Sequence, residues 1–344
     1  MSERRAARQA AETAARTARR PKRRRPLLVA LIATIGSLVG IATVVAVVAS
    51  VFVGGLARSF DTHTDTITDA FPAGERPTTT DGAENILLIG SDRRSSGDAD
   101  RTAGGRSDTL MVAHVPADRR AVYLMSIMRD SWVDVPGHGH AKINAAYAWG
   151  GVPLTVQTVE QLLDVRVDHV AEIDFTGFKG MTDALGGVTV DSGRAFSAGG
   201  HDFVAGPNRL DGDAALAFVR ERSSFADADH TRVRNQQAFM RGVVNGLLSR
   251  GTITDAGRIQ DFVTATSEHL AVDAGLSFPT LVGLGWSLRD VRTDDLTTFT
   301  VPTAGSGTSP DGQSVVTLND LAVGSLSRAL RSDDVASWLA DNPQ

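Results

Sequence analysis

NILLIGSDRRSSGDADRTAGGRSDTLM, residues 85–111, decides how the rest of the chain is read. A short apolar run, Ile86 to Ile89, ends in Gly-Ser-Asp. A polar, Gly-rich loop follows, and Arg106-Ser107-Asp108-Thr109 leads into a second apolar run. α/β sheets commonly build sites where a buried strand delivers a carboxylate at its carboxyl end, because ligands sit outside that end. Here Asp92 and Asp108 bracket one loop and travel with Arg93, Arg94 and Arg106. Carboxylates beside arginines suit a divalent metal meeting a phosphate. A solvated turn with surface ion pairs is the alternative, and the stretch alone leaves both open.

Outward from that stretch, composition narrows the classes. The 344 residues are 42% hydrophobic and 22% charged, ordinary for a globular protein. The net charge of −5 is unevenly spread: residues 1–25 hold ten Lys/Arg and two acids, a net +8, leaving −13 on the rest. An acidic body argues against nucleic acid as a partner. With no cysteine there is no disulfide, thiolate metal site or cysteine nucleophile. Residues 26–57 carry no charge, and a bilayer core needs only about 20 apolar residues in a helix. The basic tail before them is the positive-inside signal. The expectation is a cytoplasmic tail (1–25), a transmembrane helix (26–57) and an extracellular remainder, with cleavage near residues 47–49 as the alternative. Residues 58–84, rich in Thr and Asp, read as an extracellular linker.

About 260 residues then alternate strands and helices, without an internal repeat. Strands are expected at Asn85–Ile89, Leu110–Val115, Ala121–Ile127, His169–Ile173, Val188–Val190 and around Leu296–Val301. Helices are expected at Leu154–Leu163, Phe175–Leu185, Asp211–Val219, Thr231–Ser249, Asp255–Leu270, Phe278–Leu288 and Leu318–Leu339. The fold class is α/β, a central sheet flanked by helices, with residues 85–250 as the core and 251–344 as a mostly helical C-terminal part.

Three further features join the opening stretch. Met128-Arg129-Asp130 repeats the pattern of an arginine and a carboxylate at a strand end; a strand-terminating ion pair is the bland reading. In Phe218-Val219-Arg220-Glu221-Arg222 the two arginines share a face only if the helix ends there. Arg232 and Gln236 lie four apart at the start of a long helix, and that face continues into Phe239 and Val243, polar at its mouth and apolar below. That apolar stretch would suit a lipid tail or ordinary core packing. Guanidinium groups hold phosphate oxygens by paired hydrogen bonds, and phosphoryl transfer needs mainly positioning and charge neutralisation. The eight histidines show no HExxH spacing, and the loop at 99–106 lacks the order of a P-loop.

These residues resemble the LytR–CpsA–Psr family of bacterial cell-wall ligases over roughly residues 85–248. The motifs are NILLIGSD (85–92), RSDTLMVAHV (106–115), LMSIMRDSWVDVPGHG (124–139), KINAAYAWGG (142–151), DFTGFKGMTDALGGVTVD (174–191), LDGDAALAFVRER (210–222) and RVRNQQAF (232–239). The resemblance implies a mixed central sheet flanked by helices, with a deep apolar cavity for a prenyl tail. It implies transfer of a glycopolymer (teichoic acid, capsule or arabinogalactan) from an undecaprenyl-pyrophosphate carrier to peptidoglycan, forming a phosphodiester, at the cell membrane. Asp92 and Asp108 match the family's Mg²⁺-associated aspartates, with Mn²⁺ as a substitute ion. Arg106 and Arg129 match arginines needed for transfer, and Arg220, Arg222, Arg232 and Gln236 match the rest of the pyrophosphate set. Two departures stand out: Met128 replaces the usual Pro, and Asn235 replaces the usual Arg before the paired glutamines, which makes Arg234 a candidate substitute. A lipid-pyrophosphate hydrolase using water, and a non-catalytic membrane-bound regulator, are the alternatives to the transferase.

Overall fold

The computed structural model describes residues 47, 48, 50–92, 107–222, 224–225, 228–249 and 255–342. Residues 1–55 form a separate unit, of which the few described residues are helical. Most of the apolar run at 26–57 lies outside the described residues, and among those described no helix is long and apolar enough to cross a membrane.

The body begins at Leu56. Its centre is a seven-stranded sheet made of β1 (Asp65–Ile67), β2 (Glu84–Ser91), β3 (Ser107–Val115), β4 (Val122–Ile127), β7 (His169–Asp174), β12 (Leu270–Asp273) and β13 (Leu296–Thr300). The order is β1-β12-β7-β2-β3-β4-β13. β2 runs parallel to β7 and antiparallel to β3, which is antiparallel to β4, and β13 runs parallel to β4. The sheet is therefore mixed, as expected. The carboxyl ends of β2, β4, β7 and β13 and the amino end of β3 all meet at one edge.

Smaller elements complete the body. β5 (Trp132–Val135) and β6 (Gly139–Lys142) form a hairpin before α1 (Asn144–Leu163). α2 (Phe175–Ala184) follows β7, and β8 (Val188–Ser192), β9 (Phe196–Ala198), β10 (His201–Phe203) and β11 (Gly206–Leu210) form two short ribbons. Next come α3 (Gly212–Arg220), α4 (Ala228–Leu248), α5 (Ala256–Ser267) and α6 (Phe278–Ser287). The hairpin β14 (Thr303–Thr308) and β15 (Ser314–Leu318) precedes α7 (Asp320–Arg331) and α8 (Val335–Asp341).

Strand alternation sorts the two faces of the sheet. Leu87, Ile89, Leu110, Val112, Met125 and Ile127 are buried with Val152, Val156 and Val159 of α1 and with Leu326 and Leu330 of α7. The alternate residues Leu88, Met111 and Leu124 face Met240 and Val244 of α4. α1 starts ten residues earlier than its apolar spacing suggested. It kinks at Gly150-Gly151, where Gly151 takes φ 62°, a region that favours glycine.

Two stretches depart from the reading of the sequence. Residues 58–84, read as a linker, are helical to residue 63 and then supply β1, and Ile67 and Ala70 belong to the main core. The part after residue 250 has the expected helices and, as β13, the strand near 296–301, but it also contributes an unforeseen β12 to the central sheet and a separate hairpin. The helix expected at Leu318–Leu339 is two helices, broken where Asp333 takes φ 54°.

β12 is locked onto β7 by Asp273, which is 2% exposed. It accepts the backbone N–H of Val170 (2.9 Å) and of Gly275 (2.7 Å), and it lies 3.2 Å from His169 Nδ1. The hydrogen bond to Asp273 raises the pKa of His169 above its ordinary 6.5, against the opposing effect of burial. Stabilisation by this pair is full below pH 6.5 and is lost as pH rises through the raised value. His114 has the opposite sign, because burial lowers its pKa. The informative quantity is therefore a difference: the melting-temperature gap between wild type and His169→Gln should be widest below pH 6.5 and narrow above it. A gap that does not change with pH would remove the charge from the account.

Candidate active site

The edge where the strand ends converge carries most of the residues singled out from the sequence. Asp108 lies just inside β3, next to the irregularity at which Ser91 pairs with Ser107. Arg129, just past β4, donates Nη1–H to Asp108 Oδ1 at 2.6 Å. Its Nε lies 3.5 Å from Asp130 Oδ2, and Lys142 Nζ lies 3.3 Å from Asp130 Oδ1. The turn that presents this pair is well packed despite the missing proline. Met128 is 1% exposed against Val233 and Val316, and Ser131 N–H closes the turn on Met128 O.

α4 is pinned above this edge by three consecutive amides. Asn235 Nδ2 donates to Phe218 O on α3 (3.1 Å), and Gln236 Nε2 donates to Thr109 Oγ1 on β3 (3.0 Å). Gln237 Nε2 reaches Ser126 Oγ and Thr300 Oγ1, on β4 and β13. A Cβ on Gly242 would lie 2.5 Å from Thr189 O, so only glycine allows this approach of α4 to β8. The pinning places Arg232 over the strand ends. Arg232 is 3% exposed, and its Nε and Nη2 have no hydrogen-bond partner. Asp229 Oδ1 is 3.3 Å from Nη2, outside hydrogen-bond geometry. Burial lowers the Arg232 pKa, yet a guanidinium remains charged at any physiological pH. A buried, charged, partly unbonded donor set calls for an anion.

Asp130 and Asp229 face each other, and each carboxyl shifts the titration of the other. Burial, then the Asp130 carboxyl, raises Asp229. Burial would raise Asp130 too, but the Asp229 carboxyl and the charges of Arg129 and Lys142 bring it below the ordinary value. Burial opposes the charge of Arg129, while its bond to Asp108 and the surrounding carboxylates carry its pKa above the usual value. The carboxyl pair therefore links the two guanidinium groups. Asp229 and Lys142 were missed in the sequence; the i,i+3 spacing of Asp229 and Arg232 was the available signal.

α3 ends at Arg220, and Glu221 is extended, with ψ 132°. That break lets Arg220 and Arg222 both line the same cavity, as the spacing required. Arg220 also stacks over Phe175 at 4.5 Å. The cavity, about 380 Å³, runs from this polar rim (Asp108, Arg129, Arg220, Arg222, Arg232 and Gln236) into an apolar interior. Its walls are Leu88, Met111 and Ile173 of the sheet, Phe178 and Met181 of α2, Val219 of α3, and Phe239 and Met240 of α4. Phe239 and Val243 both belong to the neighbouring core, but only Phe239 reaches the cavity.

Asp92 stands exposed just past β2 and is not part of the cavity wall. Arg106 lies outside the described residues. Arg234, the candidate substitute for the replaced arginine, is exposed, bonds Thr231 Oγ1 (2.6 Å), and lines a polar pocket with Arg194, Asn235 and Arg241. Among the described residues no group of three or more His, Asp or Glu is arranged to hold a metal. The strand ends offer oxygen donors: Asp108, and the fully buried hydroxyls of Ser91 and Ser107, which have no hydrogen-bond partner. Such a set fits Mg²⁺ only with phosphate oxygens completing the shell, which is how that ion is usually held.

The family model for LytR_cpsA_psr matches residues 52–332. The chain belongs to the LytR–CpsA–Psr family. The Enterococcus faecalis protein named polyisoprenyl-teichoic acid–peptidoglycan teichoic acid transferase TagU is 34% identical over 235 residues, 67% of this chain and 73% of that protein. The TagU of Oceanobacillus iheyensis is 38% identical over 187 residues, and there this LytR–CpsA–Psr chain spans only 57% of the relative. Among solved structures, B. subtilis TagV shares the fold, with a TM-score of 0.62 at 23% identity over 74% of this chain and 97% of that one. TagT bound to LI-WTA aligns with a TM-score of 0.57 at 26% identity, covering 76% of this chain and 98% of its own.

Proposed function

We propose that this chain is a membrane-anchored phosphotransferase of the cell envelope that joins a glycopolymer from an undecaprenyl-pyrophosphate carrier to peptidoglycan. The observation that supports this most is the junction of an apolar cavity with an arginine rim, where Arg232 is buried with donors unbonded. A prenyl pyrophosphate is an apolar chain ending in just such an anion. The names of the relatives agree with teichoic acid as the transferred polymer.

In this reading Arg129, Arg220, Arg222 and Arg232, with Arg106, neutralise the pyrophosphate oxygens, and Gln236 orients the group from its anchorage on Thr109. A sugar hydroxyl of peptidoglycan attacks the phosphorus that carries the glycopolymer. The new O–P bond forms as the anhydride bond breaks, and the hydroxyl proton ends on the released lipid phosphate. Asp108 and Asp92 would hold Mg²⁺ or Mn²⁺, which would supply charge neutralisation at the bridging oxygens. The basic tail and the run at 26–57 would keep the domain on the leaflet that holds the lipid substrate.

The test is product analysis on the full chain in lipid nanodiscs, given a polyprenyl-pyrophosphate saccharide with and without peptidoglycan. Transfer predicts a phosphodiester-linked product and lipid phosphate release that depends on the acceptor. Release at the same rate without peptidoglycan would identify a hydrolase instead.

A further inference from the structure

Residues 274–288 hold no charged side chain, yet the helix they contain is barely buried. Within α6 only Phe278 is buried. Val282 and Trp286, four apart and so on one face, are 48% and 71% exposed. Gly283 and Gly285 have nothing within 4 Å of where a Cβ would stand. Two glycines in a ten-residue helix cost about 1 kcal/mol each relative to alanine. Phe278, with half-buried Leu281 and Leu284, holds one face of this helix. The opposite face, with Val282 and Trp286, has no protein to pack on among the described residues, and short helices depend on packing of their apolar faces. An apolar surrounding removes that difficulty, because backbone groups there lose water as a competing partner.

Its position in the body indicates which apolar surrounding. Phe278 packs at a tilt against Phe60 with ring centroids 5.8 Å apart, and Ser59 Oγ lies 3.1 Å from Thr264 Oγ1 of α5. Phe60 is only three residues beyond Ala57, where the 26–57 apolar run ends. At 1.5 Å of rise per helical residue, the root of α6 stands within roughly 5 Å of that end along the axis. At the other end, Arg289 lies 5.3 Å from the Trp286 ring and donates Nη1–H to Trp286 O. A tryptophan with an adjoining arginine is the pairing found at the headgroup level of bilayers.

We infer that α6 is a membrane-docking helix, whose Val282–Trp286 face lies in the outer interface of the bilayer. This goes beyond the transfer reaction, because it gives the domain a second attachment and therefore a defined orientation over the leaflet.

The absence of native cysteine gives a clean test. The full chain is reconstituted into phosphatidylglycerol–phosphatidylethanolamine vesicles with a single nitroxide at Val282→Cys or, as an exposed apolar control on α7, at Leu321→Cys, where the native residue is 88% exposed. Collisions with oxygen and with a water-soluble nickel chelate are measured by electron paramagnetic resonance. The label at 282 should lose access to the chelate and gain access to oxygen relative to the label at 321. Equal access at both positions would overturn the proposal. Loss of access to both reagents at 282 would also overturn it, since protein, such as a second copy, would then cover the face. A third label at Ser37→Cys reports on the anchor alone, so failure of the spanning reading and failure of the α6 docking are read separately.

Discussion

Arg232→Ala is expected to lower glycopolymer transfer by about 10²–10³-fold, the usual effect of removing one preorganised donor from a developing charge. The side chain is 3% exposed with unbonded Nε and Nη2, so it contributes little to holding the native state together. Its removal relieves a buried guanidinium but takes the ion partner from Asp229 at 3.3 Å, so the two effects offset and the melting temperature should move little. Loss of activity without loss of stability is the signature of a group kept for a ligand. Arg232→Lys should recover only part of the rate, because an ammonium cannot make paired hydrogen bonds to phosphate oxygens. The measurement is initial rate on the anchored lipid substrate alongside thermal melting. Near wild-type transfer in Arg232→Ala would remove this residue from the site.

Glu160→Ala is expected to have the largest effect on stability, about 3–5 kcal/mol, as one partner of a buried ion pair is deleted. Glu160 on α1 is 3% exposed and receives Arg76 in a forked contact, Nη2 to Oε1 at 2.6 Å and Nε to Oε1 at 3.1 Å. It also accepts the backbone N–H of Val167 (2.9 Å), while Arg76 donates to Val167 O (2.5 Å). This cluster joins the segment before β2 to the turn before β7, the strand next to β2. Deleting the carboxylate leaves the guanidinium without a counter-charge, bonded only to Val167 O, and the Val167 amide unpaired in the interior. Denaturant unfolding at constant m-value measures the loss; a cost under 1 kcal/mol would mean that water reaches Arg76 when the carboxylate is gone.

The central strands whose ends form the site were legible before any coordinates, because alternation of apolar residues and the polar residue that ends each run are local signals. β2, β3, β4 and β7 lie within a few residues of their expected bounds, and Asp108, Arg129, Arg220, Arg222, Arg232 and Gln236 meet at one cavity. The condition placed on Arg220 and Arg222, that the helix end between them, is met at Glu221. Arg234 illustrates the limit. Sequence proximity made it a substitute for the replaced arginine, but each residue advances a helix by about 100°. Asn235 turns its amide to Phe218 O while Arg234 is exposed, and both line the polar pocket rather than the arginine-rimmed cavity.

What the sequence by itself determined was the class of the fold, the family and the chemistry of the rim, since periodicity, strand-ending residues and motif order are written in neighbouring positions. The tertiary structure alone decided that β1, β12 and β13 complete the sheet, that the Asp130 and Asp229 carboxyls come together across almost a hundred residues, and that one face of α6 remains uncovered. Those outcomes depend on which distant surfaces meet and which polar groups are buried together. No local pattern specifies them, because pairing energy arises only after the chain has closed the loops between the partners.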